Sequence, residues 1–270
     1  MGMSSIDSSG IVTLITDFGL TDPYVGQLKG ALLSSSTKVT IVDLTHSIAP
    51  HDIPAAAQTL FSSFQFFPAG TVHLTVVDPG VGSTRKILAA TGAGHYFIAP
   101  DNGIFTILLK QNIIEDVYQI TLEPGARSTT FHGRDIMAPV AALLAKGERL
   151  SAVGVPIIKD QCTTVALPGF VEQEDHVIAQ VIRVDHFGNL RISIKKSDLD
   201  RIGAAQSQMR IAISGMEIAG LSATYSSQET GSLCALFDSD GFLEVAINQG
   251  SAAEILPAQL GDQVTLWFSR

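Results

Sequence analysis

A chain of 270 residues, 46% hydrophobic and only 16% charged, has enough apolar matter to bury a large core, as one large domain or two ordinary ones. Its 17 Lys and Arg against 26 Asp and Glu leave a formal charge of −9, which argues against nucleic-acid binding, because phosphate recognition draws on a concentrated basic surface. Every hydrophobic run is interrupted within a few positions by Asp, Pro, Gly or Lys, well short of the roughly 20 residues that a membrane helix needs, so no membrane partner is expected.

In chain order, residues 1–10 read as a disordered lead-in without the basic and apolar regions of a signal peptide. Residues 11–158 alternate β-rich runs with helix-like stretches, the pattern of an α/β domain with a mostly parallel sheet flanked by helices. Strands are predicted at 11–15, 38–43, 71–77, 87–91, 96–99 and 117–120, and helices at 22–34, 53–64, 103–110 and 134–146. The composition changes after Val155 to prolines, scattered threonines and an acidic cluster, and 159–175 reads as a linker. Beyond it, 176–270 carries short strands at 176–184, 190–194, 208–214, 233–237, 242–247 and 263–268, separated by Gly, Asn, Asp and Ser turns, which predicts a smaller all-β, barrel-like domain. The two cysteines, Cys162 and Cys234, match neither a disulfide framework nor a CxxC site; buried free thiols in a reducing, cytoplasmic setting are expected.

Several predicted strands run directly into polar turns: Thr16-Asp17, Asp43, Asp78-Pro79-Gly80 and Pro100-Asp101-Asn102-Gly103. In open α/β sheets ligands bind beyond the carboxyl ends of the strands, so these turns are the first candidates for a site. Two motifs stand out there, Val77-Asp78-Pro79-Gly80-Val81-Gly82-Ser83-Thr84-Arg85 and Phe131-His132-Gly133-Arg134-Asp135. Together they offer a carboxylate, a guanidinium and an imidazole on glycine-rich turns, a set suited to activating water without a metal. Taken singly each part is ordinary, since Asp-Pro-Gly is common turn chemistry and a lone His is usually a satisfied polar residue. Asp43, His46, His51 and Asp52 match no compact zinc or calcium signature, and Gly80-Val81-Gly82-Ser83 is followed by no Walker lysine, so neither a metal nor a phosphate loop is expected.

With Ile15-Thr16-Asp17-Phe18-Gly19 upstream and Val184-Asp185-His186-Phe187-Gly188-Asn189 downstream, the motifs stand in one order over nearly the whole chain. In this the chain resembles the S-adenosylmethionine (SAM) hydroxide adenosyltransferases, the family related to the SAM-dependent fluorinase and chlorinase. The resemblance implies conversion of SAM and water to adenosine and L-methionine, with SAM as substrate and no cofactor. It gives Asp78, Arg85 and His132 the catalytic roles, and leaves open which of Asp78 and His132 takes the proton. It assigns Asp17 to the ribose hydroxyls, Phe131 and Gly133 to the SAM pocket, Asp185 to the methionine ammonium, Phe187 to the adenine face and Asn189 to the adenine edge. Ser239 falls where a family serine contacts the methionine carboxylate, although Asp240 follows where the fluorinase has arginine, and Asn248-Gln249 matches a segment whose backbone meets adenine. A homotrimer with its sites at subunit interfaces is also implied.

The departures from the halogenases point to water. Gly133 stands where the fluorinase carries a halide-binding serine, His132 where it carries tyrosine, and Asp78 where the halogenases have an uncharged residue. The segment from Arg85 to Ala99 lacks the fluorinase's long insertion. Halide adenosyl transfer, and non-catalytic sensing of SAM or adenosine, are the alternative readings.

Overall fold

The computed structural model describes residues 6–122 and 128–269. Residues 1–5 of the expected lead-in lie outside the described residues. The chain divides into two compact units, Met1–Ala166 and Leu167–Arg270.

The first unit is built on seven strands: β1 (Ile11–Thr16), β2 (Thr40–Thr45), β3 (Val72–Val76), β4 (Ile87–Gly92), β5 (His95–Pro100), β6 (Ile114–Ile120) and β7 (Gly154–Ile157), in the order β2-β1-β3-β5-β4-β6-β7. The strands β2, β1, β3 and β5 pair in parallel. The ladders through β4, β6 and β7 are antiparallel, an extension that the alternation of elements did not distinguish. Helices α1 (Tyr24–Ser35), α2 (Ile53–Ser63), α3 (Thr106–Lys110), α4 (Ala138–Ala145) and α5 (Leu150–Val153) complete the unit. One core joins Val12, Leu14 and Leu74 to Leu28 and Leu32 of α1 and Val140 and Leu144 of α4. A second joins Ile15 and Phe97 to Leu60 of α2 and Leu108 of α3. With apolar packing on both sides, β3 and β5 are buried at every position, including the polar side chains of His73, Thr75 and His95.

Within the segment read as a lead-in, Ile6 packs on the first core and the Ser8 hydroxyl donates to the Ala145 carbonyl. The predicted helix at 134–146 is entered through a π-helical turn, Gly133–Met137.

Among the described residues the strands of the second unit all pair antiparallel, with short helical turns between them. Its strands are β8 (Val171–Glu172), β9 (His176–Val184), β10 (Leu190–Lys195), β11 (Ala205–Ile213), β12 (Met216–Ala219), β13 (Leu233–Phe237), β14 (Phe242–Ile247) and β15 (Gln263–Ser269), with α6 (Lys196–Arg201) and α7 (Ala252–Ile255) between them. They run in the order β12-β11-β15-β9-β10-β14-β13, with β8 on β9. The Ser222 amide, just past β12, donates to Ala235 of β13 at 2.7 Å, tying the two ends of the sheet and nearly closing a barrel. Val177, Ile192, Ile211, Leu243 and Leu266 fill its interior. Cys162 and Cys234 are free and buried. Among the described residues no helix is long and apolar enough to cross a membrane.

Candidate active site

The parallel register of β1 on β3 pairs Thr16 with Val76, so Asp17 and the Asp78 turn leave the sheet at the same edge. An Asp17 carboxylate oxygen accepts the His51 amide at 3.0 Å, and His51 holds a left-handed backbone, φ 69°. The turn after β3 folds on itself: the Val81 amide donates to the Asp78 carbonyl, Ser83 N–H to the Gly80 carbonyl, and Arg85 N–H to the Ser83 hydroxyl. Gly82 is left-handed, φ +81°, and a Cβ there would lie 2.6 Å from the Thr129 carbonyl oxygen. Only glycine lets the Asp78 turn approach the segment that leads into Phe131-His132.

That approach brings three side chains together. Arg85 Nε donates to Asp78 Oδ1 at 2.6 Å and Nη2 donates to Asp78 Oδ2, a fork on both carboxylate oxygens. Arg85 Nη2 also reaches His132 Nδ1 at 3.2 Å. A guanidinium can only donate, so Nδ1 is the acceptor in this hydrogen bond, the arrangement of the Nε2–H tautomer. The pair is deeply placed, with the Arg85 and Asp78 side chains 8% and 6% exposed.

Phe131 packs edge-on against Phe18 and Tyr24, with ring centroids 5.5 and 5.7 Å away, and Arg134 lies 4.9 Å over its face. Arg134 is held in turn by Asp135 and by Gln27 Oε1, and its hydrogen bond keeps the Asp135 carboxyl below the usual carboxylate range. The result is a cleft of about 130 Å³ lined by Asp17, Phe18, Asp78, Phe131, His132 and Gly133, with His51, Val76, Val81 and Thr130 completing the walls. Of these last four, His51 was weighed from sequence only as a metal ligand, and Val76, Val81 and Thr130 were not singled out as site residues. The left-handed backbone that sets His51 beside Asp17 had no local signal, and Val76 and Val81 read as strand and turn residues like many others.

The candidate residues of the second unit lie on three turns. Asp185 closes its own turn: Oδ1 accepts the Phe187 and Asn189 amides at 2.8 and 2.9 Å, and Oδ2 accepts Asn189 Nδ2 at 3.1 Å. This leaves the Phe187 ring 72% exposed and Asn189 buried. Gly188, φ +81°, has no room for a Cβ, which would collide with Ser251. Asn248 and Gln249 form the turn after β14, where Asn248 Nδ2 donates to the Gln228 carbonyl and Gln249 is left-handed, φ 58°. Ser239 is exposed on the turn between β13 and β14. Its neighbours Asp238 and Asp240 both pair with Arg191, at 2.7 and 2.8 Å. Burial pushes the nearby Glu244 carboxyl up, with Asp185 and Asp238 adding to the shift, while its bond from the Tyr225 hydroxyl opposes it.

Asp43 and His46, weighed above as metal ligands, are engaged with other side chains. His46 Nδ1 is 2.9 Å from the Thr16 hydroxyl, and Asp43 pairs with Lys29 and His46.

Fold and site thus define a two-unit protein whose α/β unit carries an Asp–Arg–His cleft beyond its strand ends. The profile of the SAM hydroxide adenosyltransferase N-terminal domain matches residues 12–154, and that of the C-terminal domain matches residues 179–265. The chain belongs to the SAM hydroxide adenosyltransferase family. It is 33% identical to a protein of Salinispora arenicola named (R)-S-adenosyl-L-methionine hydrolase, over 94% of this chain and 96% of that protein. It is 30% identical to a protein of Nocardia brasiliensis named fluorinase, over 90% and 92% of the two lengths. Among solved structures, an uncharacterized conserved protein from Thermotoga maritima superposes with a TM-score of 0.86 at 32% identity, covering 95% of this chain and 99% of that one.

Proposed function

We propose that this chain hydrolyses S-adenosyl-L-methionine by attack of water at C5′, releasing adenosine and L-methionine. The observation that carries the reading is the Asp78–Arg85–His132 chain of hydrogen bonds in the cleft that Asp17 also lines. The leaving sulfur departs with the C5′–S electron pair as a neutral thioether, so no general acid is required. Catalysis then reduces to placing an activated oxygen in line with that bond.

Each Asp78 oxygen retains a lone pair beyond the one that meets Arg85, and one of these takes the water proton. His132, its Nδ1 engaged by Arg85, offers Nε2–H to the water oxygen and holds it. A hydroxide-like oxygen is then drawn to the sulfonium, an attraction that strengthens where bulk water is excluded. The two Asp17 oxygens suit the ribose diol. Asp185 and Ser239 are assigned to the methionine end, and Phe187, Asn189 and the Asn248-Gln249 turn to adenine. The same reading includes a homotrimer in the cytoplasm that uses no cofactor. Its support is the motif order together with the relatives named (R)-S-adenosyl-L-methionine hydrolase.

The test is to incubate purified protein with each sulfonium epimer of SAM, with and without chloride, and to identify products by chromatography and mass spectrometry. The expected result is adenosine plus methionine from the R epimer, independent of chloride and abolished by His132→Ala. Chloride-dependent 5′-chloroadenosine would replace the reading with halide transfer. Saturable SAM binding without product would replace it with a sensor.

A further inference from the structure

Gly133 poses a question that its backbone does not answer. It is not among the left-handed glycines, and in a helical turn glycine is about 1 kcal/mol worse than alanine. The reason lies in space: a Cβ on Gly133 would stand 2.9 Å from Val76 Cγ1 and 3.6 Å from Phe131 Cε2. The Val76 methyl occupies the room that a side chain at 133 would need. Val76 ends β3, is 3% exposed, and precedes Asp78 by two positions. It lines the same cleft as Asp78 and His132, and Val81 supplies a further aliphatic wall.

We infer that Val76, interlocked with the bare Cα of Gly133, is a specificity-determining residue that sizes the compartment of the attacking oxygen to water and excludes nucleophiles one carbon larger. The inference rests on the hydrolytic reading above. Methanol is the natural probe, since it is water plus one methyl. Its oxygen would bond to C5′ as the C5′–S bond breaks, the electron pair would go to sulfur, and the hydroxyl proton would pass to Asp78, giving 5′-O-methyladenosine and methionine.

The experiment is a competition in a fixed methanol–water mixture, read as the ratio of 5′-O-methyladenosine to adenosine for the wild type, Val76→Ala and Val76→Thr. Both products come from the same active sites, so the ratio does not depend on how much of a variant is folded. Discrimination against one extra carbon in a packed pocket runs at about 10–200-fold, so Val76→Ala should raise the ratio on the order of tenfold or more. Val76→Thr keeps the volume and should retain the wild-type ratio. An unchanged ratio in Val76→Ala, or an equal rise in Val76→Thr, overturns the inference. A wild type that forms no adenosine overturns the hydrolytic reading instead, so the two failures are distinct.

Discussion

Arg85 meets both oxygens of Asp78 in a nearly closed position and also reaches Nδ1 of His132. Asp78→Ala should therefore act twice. Losing the proton acceptor should lower kcat on the order of 10²-fold or more with the KM for SAM nearly unchanged. Leaving Arg85 buried without its partner should also cost about 3–5 kcal/mol of stability. Steady-state adenosine release and a urea titration separate the two effects, and a wild-type kcat would remove Asp78 from the chemistry. At this scale the sequence was informative where a residue type is conspicuous in a turn: Asp17, Asp78, Phe131, His132 and Gly133 line one cleft of the first unit, and Arg85 bonds Asp78 and His132 there. It was silent on Val76, which reads as one more strand valine and whose contact with Gly133 lies across 57 positions of chain. The pairing of Asp240 with Arg191 was equally hidden, because cross-strand partners leave no local trace.

The elements that position the cleft are β3, the turn that follows it, and the segment entering α4. The β-branched and aromatic residues of β3 and β5 made both strands legible almost to their ends. The short strands β7, β8 and β12 were not, having too few residues for any period to register. The π-helical turn at Gly133–Met137 was hidden for a different reason, since one extra residue in a helical repeat resembles an ordinary helix start. Gly82 joins these elements. Gly82→Ala would force a left-handed alanine and drive its Cβ into the Thr129 carbonyl, which is backbone and has no rotamer to yield. The strained conformation alone costs about 1–3 kcal/mol. If the turn shifts to relieve the contact, Arg85 moves off His132. A lowered urea midpoint together with a lowered kcat is expected; a variant equal to wild type in both would show that the turn has slack.

Each unit carries its own apolar core, and the described cores share no residue. Acid stability of the molecule therefore has a component that belongs to the first unit alone. Thr13, His73 and His95 form a buried hydrogen-bonded chain, with links of 2.8 and 3.1 Å, packed against Phe64 and Phe97. Burial, with a smaller contribution from His95, holds the His73 pKa at about 3, and burial also lowers that of His95. An unfolded histidine titrates near 6.5. Between those values the unfolded state binds a proton that the folded state refuses, so stability rises with pH through the window and falls on acidification. Above it neither form is protonated and the slope vanishes. His73 alone contributes up to about 1.4 kcal/mol per pH unit below pH 6.5. Urea titrations of wild type and His73→Gln at intervals from pH 7.5 to 4 subtract out the carboxylates common to both. The variant should show a shallower loss of stability below pH 6.5 and no difference in slope above it. Parallel curves throughout would mean that the folded chain accepts a proton at His73, and that the Thr13–His73–His95 chain does not depend on a neutral imidazole.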